Sequence, residues 1–166
     1  AVTTGSVLKK FEEVNYFIES YQEYLPQDTK QDVLKLSEGY VAFHAKDFSK
    51  TEQILQYFQS KIPTLLIRSR FLLIMSQYEL IKQKPDFLET FIYNLEAFKQ
   101  FIRRNDYLNG GKKQDFLNFG RVVNKLARFN GDNEKLNKIN FEIHDSKSIV
   151  AKHWLVNKCN ELKNGD

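Results

Sequence analysis

Cysteine is almost missing from this sequence. Cys159 stands alone among 166 residues, which excludes a disulfide framework and any multi-cysteine zinc site. Glycine and proline are scarce, at 7 and 3, too few for a collagen repeat or a β-sandwich turned by Gly and Pro. No apolar run reaches the roughly 18 residues that a membrane span needs. The opening Ala1-Val2-Thr3-Thr4-Gly5-Ser6 has no Met, no basic start and no apolar stretch, so it does not read as a signal peptide. On this reading the chain is a piece of a longer protein, residues 1–5 lie outside its folded part, and its compartment is the cytoplasm.

What is present suits a core. Hydrophobic residues make up 42%, charged residues 28% and aromatic residues 14%, a balance that excludes disorder. A 19.6 kDa chain buries about 70% of its unfolded surface by the usual scaling, enough for one domain, here 1–166, without metal or disulfide.

Apolar residues recur at three- and four-residue steps, which predicts helices throughout. Phe11, Val14, Phe17, Ile18, Tyr21 and Leu25 form one stripe. Asp28 with Gln31 has capping-box spacing and opens a second helix through Val33, Leu36, Tyr40 and Phe43; Ser49 with Glu52 repeats the signature for a short third. The fourth, from about Thr64 to Lys82, is apolar on most sides, the mark of a buried central helix. Pro85 is expected in the first turn of a fifth. A sixth is expected from about Lys112 to Phe129, after a Gly110-Gly111 turn with positive φ; a seventh from about Asn133; and an eighth from about Ser148 to Leu162. Ile139, Phe141 and Ile143 alternate like a strand, but Leu136, Ile139 and Ile143 fit a helix, and no second strand candidate exists to pair with them. The fold class expected is all-α: helix hairpins arranged as a closed bundle or an open stack.

Little in the sequence points to chemistry. His44, His144 and His153 share no helix face, and Cys159 lacks an evident base, so neither a metal site nor a covalent nucleophile is expected. Asn109-Gly110-Gly111-Lys112-Lys113 follows a helix rather than a strand, unlike a phosphate loop. No enzyme activity, cofactor or small-molecule substrate is inferred. Charge is more informative: residues 61–131 hold 13 basic and 6 acidic residues. Arg121, Lys125 and Arg128 make one stripe, preceded by Arg103, Arg104, Lys112 and Lys113. That region reads either as an ordinary solvated face or as an anion- or nucleic-acid-binding patch. It lacks interleaved aromatics for base stacking, so nucleic acid is not the expected partner.

The stretch LKLSEGYVAFHAKDFSKTEQILQYFQSKIP, residues 34–63, resembles one tetratricopeptide (TPR) repeat. Gly39 falls at the small position of the first helix, Phe48 at the aromatic position after the turn, Leu55 at the large apolar position and Pro63 at the closing proline. Lys35, Glu38, Ala42, Thr51 and Phe58 depart from the pattern. Pro85-Asp86-Phe87 echoes Lys46-Asp47-Phe48 about 39 residues on, longer than a regular repeat. FIRRND at 101–106, DFLNFGRVVNKLAR at 115–128 and IVAKHWLVNKCNEL at 149–162 are similar to blocks near the end of uncharacterised bacterial TPR-like proteins. The resemblance implies a right-handed α–α superhelix without catalysis, acting as a protein-interaction scaffold. It implies a groove for a protein or peptide partner, lined by Val33, Leu36, Tyr40, Phe43 and His44, with Arg68 and Arg70 supplying charge.

Overall fold

The computed structural model describes residues 11–165, apart from the side chains of Phe11 and Asn15. Among these residues there are eight α-helices and no strand. Contacts divide the chain into two compact units, one ending at Phe87 and one starting at Leu88, each with a core of its own.

In the first unit, α1 (Phe11–Tyr21) runs into a 3-10 turn at Gln22–Tyr24. Val14 is buried, whereas Phe17 and Tyr21 from the same sequence stripe are 37% and 54% exposed. Helix α1 packs on α2 (Gln27–His44), and a single neighbour covers only a narrow arc of a helix. The start of α2 differs from expectation. No side chain caps it; the Pro26 carbonyl accepts from the N–H groups of Thr29 and Lys30 at 3.1 and 2.8 Å, and Asp28 lies inside the first turn. There its charge favours the positive helix end instead of forming a capping box.

Helix α2 ends in a Schellman motif. Lys46 takes the left-handed conformation, with φ 64°. The Lys46 N–H then donates to the Phe43 carbonyl at 3.0 Å and the Asp47 N–H to Ala42 at 2.9 Å. Asp47 at once caps α3 (Phe48–Leu55), its Oδ1 accepting from the Lys50 N–H at 3.0 Å. The cap is therefore Asp47 rather than Ser49, which lies within the helix. Gly39 is buried on α2, and a β-carbon there would meet the Leu55 side chain at 3.0 Å. The two helices approach this closely because Gly39 has no side chain.

Helix α4 (Pro63–Gln83) is the central one, packed against both α3 and α2. From Ile74 to Leu80 every residue is buried. The polar ones find partners: Ser76 Oγ donates to the Phe48 carbonyl at 2.9 Å, and Gln77 Nε2 donates to Glu52 Oε1 at 3.2 Å. A buried polar group without such a partner would cost about 1–3 kcal/mol.

The second unit begins with α5 (Leu88–Arg104), which buries Phe91, Leu95, Phe98 and Ile102 along one face. Pro85 belongs to a separate 3-10 turn, Pro85–Phe87, and not to the first turn of α5. Helix α6 is Gly110–Ala127, α7 is Asn133–Asp145 and α8 is Lys152–Asn164. Gly110 and Gly111 lie inside the first turn of α6 behind an Asn109 cap, and neither has positive φ. Asn109 Oδ1 accepts from the Lys112 N–H at 2.9 Å, so side-chain capping decides this start. In α7, Ile139 and Ile143 are buried and Phe141 is 72% exposed, the helical solution to the ambiguous alternation. Helix α8 starts four residues later than expected. Ala151 ahead of it is left-handed, with φ 53°, and the connection is held in a non-helical path from outside. Asn118 Nδ2 donates to the Ser148 carbonyl at 2.7 Å, Ser148 Oγ donates to Asp115, and Lys152 Nζ donates to the His144 and Ser146 carbonyls.

Candidate functional site

Two surfaces answer to the sequence expectations, one in each unit. On the first, α2 carries Tyr40 and His44 with their rings 6.5 Å apart and nearly parallel, at 11°. Their spacing of four residues on a helix makes this stacking possible. Phe43 meets His44 edge-on at 5.3 Å and Phe48 at 5.6 Å. Val33, Tyr40 and His44 are half-buried, Arg68 on α4 is exposed and Arg70 is half-buried.

Leu36 and Phe43 are different. Both are buried, at 5% and 8% exposure, so they pack the core and are not open groove lining. Helix α2 contacts α1, α3 and α4, and several neighbours bury a wider arc than one stripe.

Burial sets the electrostatics of this face. Loss of water raises the Tyr40 phenol above its ordinary pKa, and the nearby Arg68 charge pulls it partly back. Burial lowers the pKa of His44, keeping its imidazole neutral at physiological pH. It also lowers that of Arg70. Arg68 has no carboxylate partner among the described residues. The surface thus offers two stacked aromatic rings, one neutral and polar, beside an unpaired guanidinium.

The basic region of the second unit is largely engaged with its own fold. Arg121 and Lys125 both reach Glu142 on α7, at 2.9 and 2.5 Å. Lys112 pairs with Asp115 at 3.3 Å, Lys113 Nζ donates to the Arg103 carbonyl at 3.2 Å, and Arg128 Nε donates to Asn124 Oδ1 at 3.1 Å. Arg103 and Arg104 are exposed in the last turn of α5, where cations favour the helix dipole. An uninterrupted stripe of free cations is therefore not what α6 presents.

Between α6 and α7 lies a cleft of about 430 Å³, and it brings together residues the sequence reading did not connect. Lys135 and Lys138 of α7 line it with Lys125 of α6 and Arg128, the residue that caps its carboxyl end. The signal was available: only five residues separate the two helices, so the carboxyl end of one must adjoin the amino end of the next.

Cys159 is buried, and loss of water pushes its thiol pKa up to about 11. A thiol so protonated is a poor nucleophile at neutral pH. Among the described residues no three His, Cys, Asp or Glu gather as a metal site. No helix of the described residues is long and apolar enough to cross a membrane.

No family model matches this chain, and no curated protein or solved structure is significantly similar to it. The reading of its role rests on the residues themselves.

Proposed function

We propose that the chain is a TPR-like protein-interaction module, its hairpins stacked as a right-handed superhelix, that holds a partner segment on the α2/α4 face and performs no catalysis. One observation carries this reading: Tyr40 stacks on His44 and feels the exposed Arg68 charge, while Gly39, the residue before it on α2, is committed to the seam with Leu55. The close seam fixes the hairpin, and the adjacent arc of α2 is left to face a ligand. Tyrosine and arginine are among the residue types that dominate interface energetics, and stacked rings beside an arginine favour a segment with an acidic group and an apolar or aromatic anchor. The nucleic-acid alternative loses support because Glu142 already neutralises part of the α6 stripe.

The test is selection of peptides from a random library on the whole chain, followed by affinity measurements on variants. Peptides enriched in acidic and aromatic residues are expected, and Tyr40→Ala or Arg68→Glu should weaken them by about tenfold or more. Selected peptides that bind both variants as well as the wild type would overturn the reading.

A further inference from the structure

The cleft between α6 and α7 has the size and the chemistry of a small-molecule site. Its volume of about 430 Å³ lies within the range of roughly 300–1,000 Å³ typical of ligand pockets. Four cations line it, Lys125, Arg128, Lys135 and Lys138, against one carboxylate, Glu142, leaving the lining at +3. Two of the four are compensated: Lys125 by Glu142 at 2.5 Å, and Lys135 by Asp132 at 3.2 Å. Arg128 and Lys138 have no carboxylate partner among the described residues. The dipole of α6 explains cations in its last turn, but not Lys138, which sits in the middle of α7.

The other walls are not cationic. Half-buried Phe129 contributes apolar surface, Ile139 lines the cleft at only 7% exposure, and Asn124 and Asn130 add amide groups able to donate or accept. An inorganic anion would use the charges and leave the apolar wall wet. A plain hydrocarbon would leave two unpaired cations beside it.

From this juxtaposition we infer that the α6/α7 cleft binds a small phosphate ester, a doubly charged head on an apolar or planar body, with Arg128 and Lys138 gripping the head and Phe129 covering the body. Arginine suits the head because its planar fork meets phosphate oxygens in pairs. This site is independent of the α2/α4 face and stands or falls without it.

The experiment titrates the isotope-labelled full chain with phenyl phosphate, followed by NMR at about pH 8, above the second phosphate ionisation near 6. Inorganic phosphate and phenol, the two halves of the probe, are titrated separately. Phenyl phosphate should saturate, move the amides of residues 124–142 first, and bind about tenfold more tightly than either half. Arg128→Gln and Lys138→Gln should each weaken it by about threefold or more, whereas Lys163→Gln, an exposed cation elsewhere in the unit, should not. Absence of saturation, equal affinity for inorganic phosphate, or indifference to both substitutions would overturn the proposal. So would a single-stranded oligonucleotide that competes at physiological salt and binds more tightly than the ester, since that would mark an extended polyanion as the ligand.

Discussion

A β-carbon on Gly39 would stand 3.0 to 3.1 Å from three atoms of the Leu55 side chain. Leu55 is only 2% exposed, so it has little room to swing away. Replacing Gly39 with leucine adds four carbons to this seam, and overpacking of that kind costs about 1–3 kcal/mol. A denaturant melt of Gly39→Leu should therefore show a lower midpoint, and an unchanged one would mean that the seam is looser than described. His44 makes a different prediction. Its folded pKa lies below the ordinary value of 6.5 because burial disfavours the imidazolium. In the acid range just below that value the unfolded chain binds the proton more readily than the folded one. Stability must then fall as pH drops through about 6.5. His44→Phe should flatten this part of the pH–stability profile; a variant that keeps the full acid sensitivity would place its origin in another group.

At the scale of the element, the short helix α3 depends on how it starts. Asp47 accepts from the Lys50 N–H and its carbonyl accepts from the Thr51 N–H at 3.0 Å. Asp47→Ala should cost about 1 kcal/mol, whereas Ser49→Ala, at the position that the sequence pattern favours, should be nearly neutral. Chemical denaturation of the two variants separates the alternatives directly. The pair also explains what the sequence could convey. Helix interiors were legible: Phe91, Leu95, Phe98 and Ile102 announce their buried face by spacing alone. Helix ends were not, because several Ser, Asp and Asn residues compete at each start and the choice depends on backbone outside the helix. Lys46 turning left-handed selects Asp47, and side chains reaching from α6 delay α8 past Ser148. The candidate site follows the same division. Tyr40 and His44 were legible as neighbours on one helix face, and Arg68 joined them through tertiary packing. Leu36 and Phe43 pack the core instead of lining a groove because a periodic stripe does not reveal how many helices pack on α2.

Across the whole molecule, charge is not shared evenly. The first 87 residues carry 11 basic and 11 acidic residues, so the entire +4 excess belongs to the second unit, with 14 and 10. That unit also holds the single tryptophan. Trp154 is half-buried, its ring 6.0 Å from that of Phe119, with the Lys158 ammonium 5.5 Å above it and pinned there by both oxygens of Glu161 at 2.8 Å. Indole emission is sensitive to a nearby cation and to water, so it should change when this arrangement comes apart. Far-UV ellipticity reads the helices of both units, whereas tryptophan light comes from one. Because each unit buries a core of its own, the two signals should give different midpoints in the same urea titration. Coincident curves would show that the halves unfold as one. The indole is thus a built-in lamp in half of the protein, lighting the unit that carries the basic cleft and leaving the α2/α4 face in the dark.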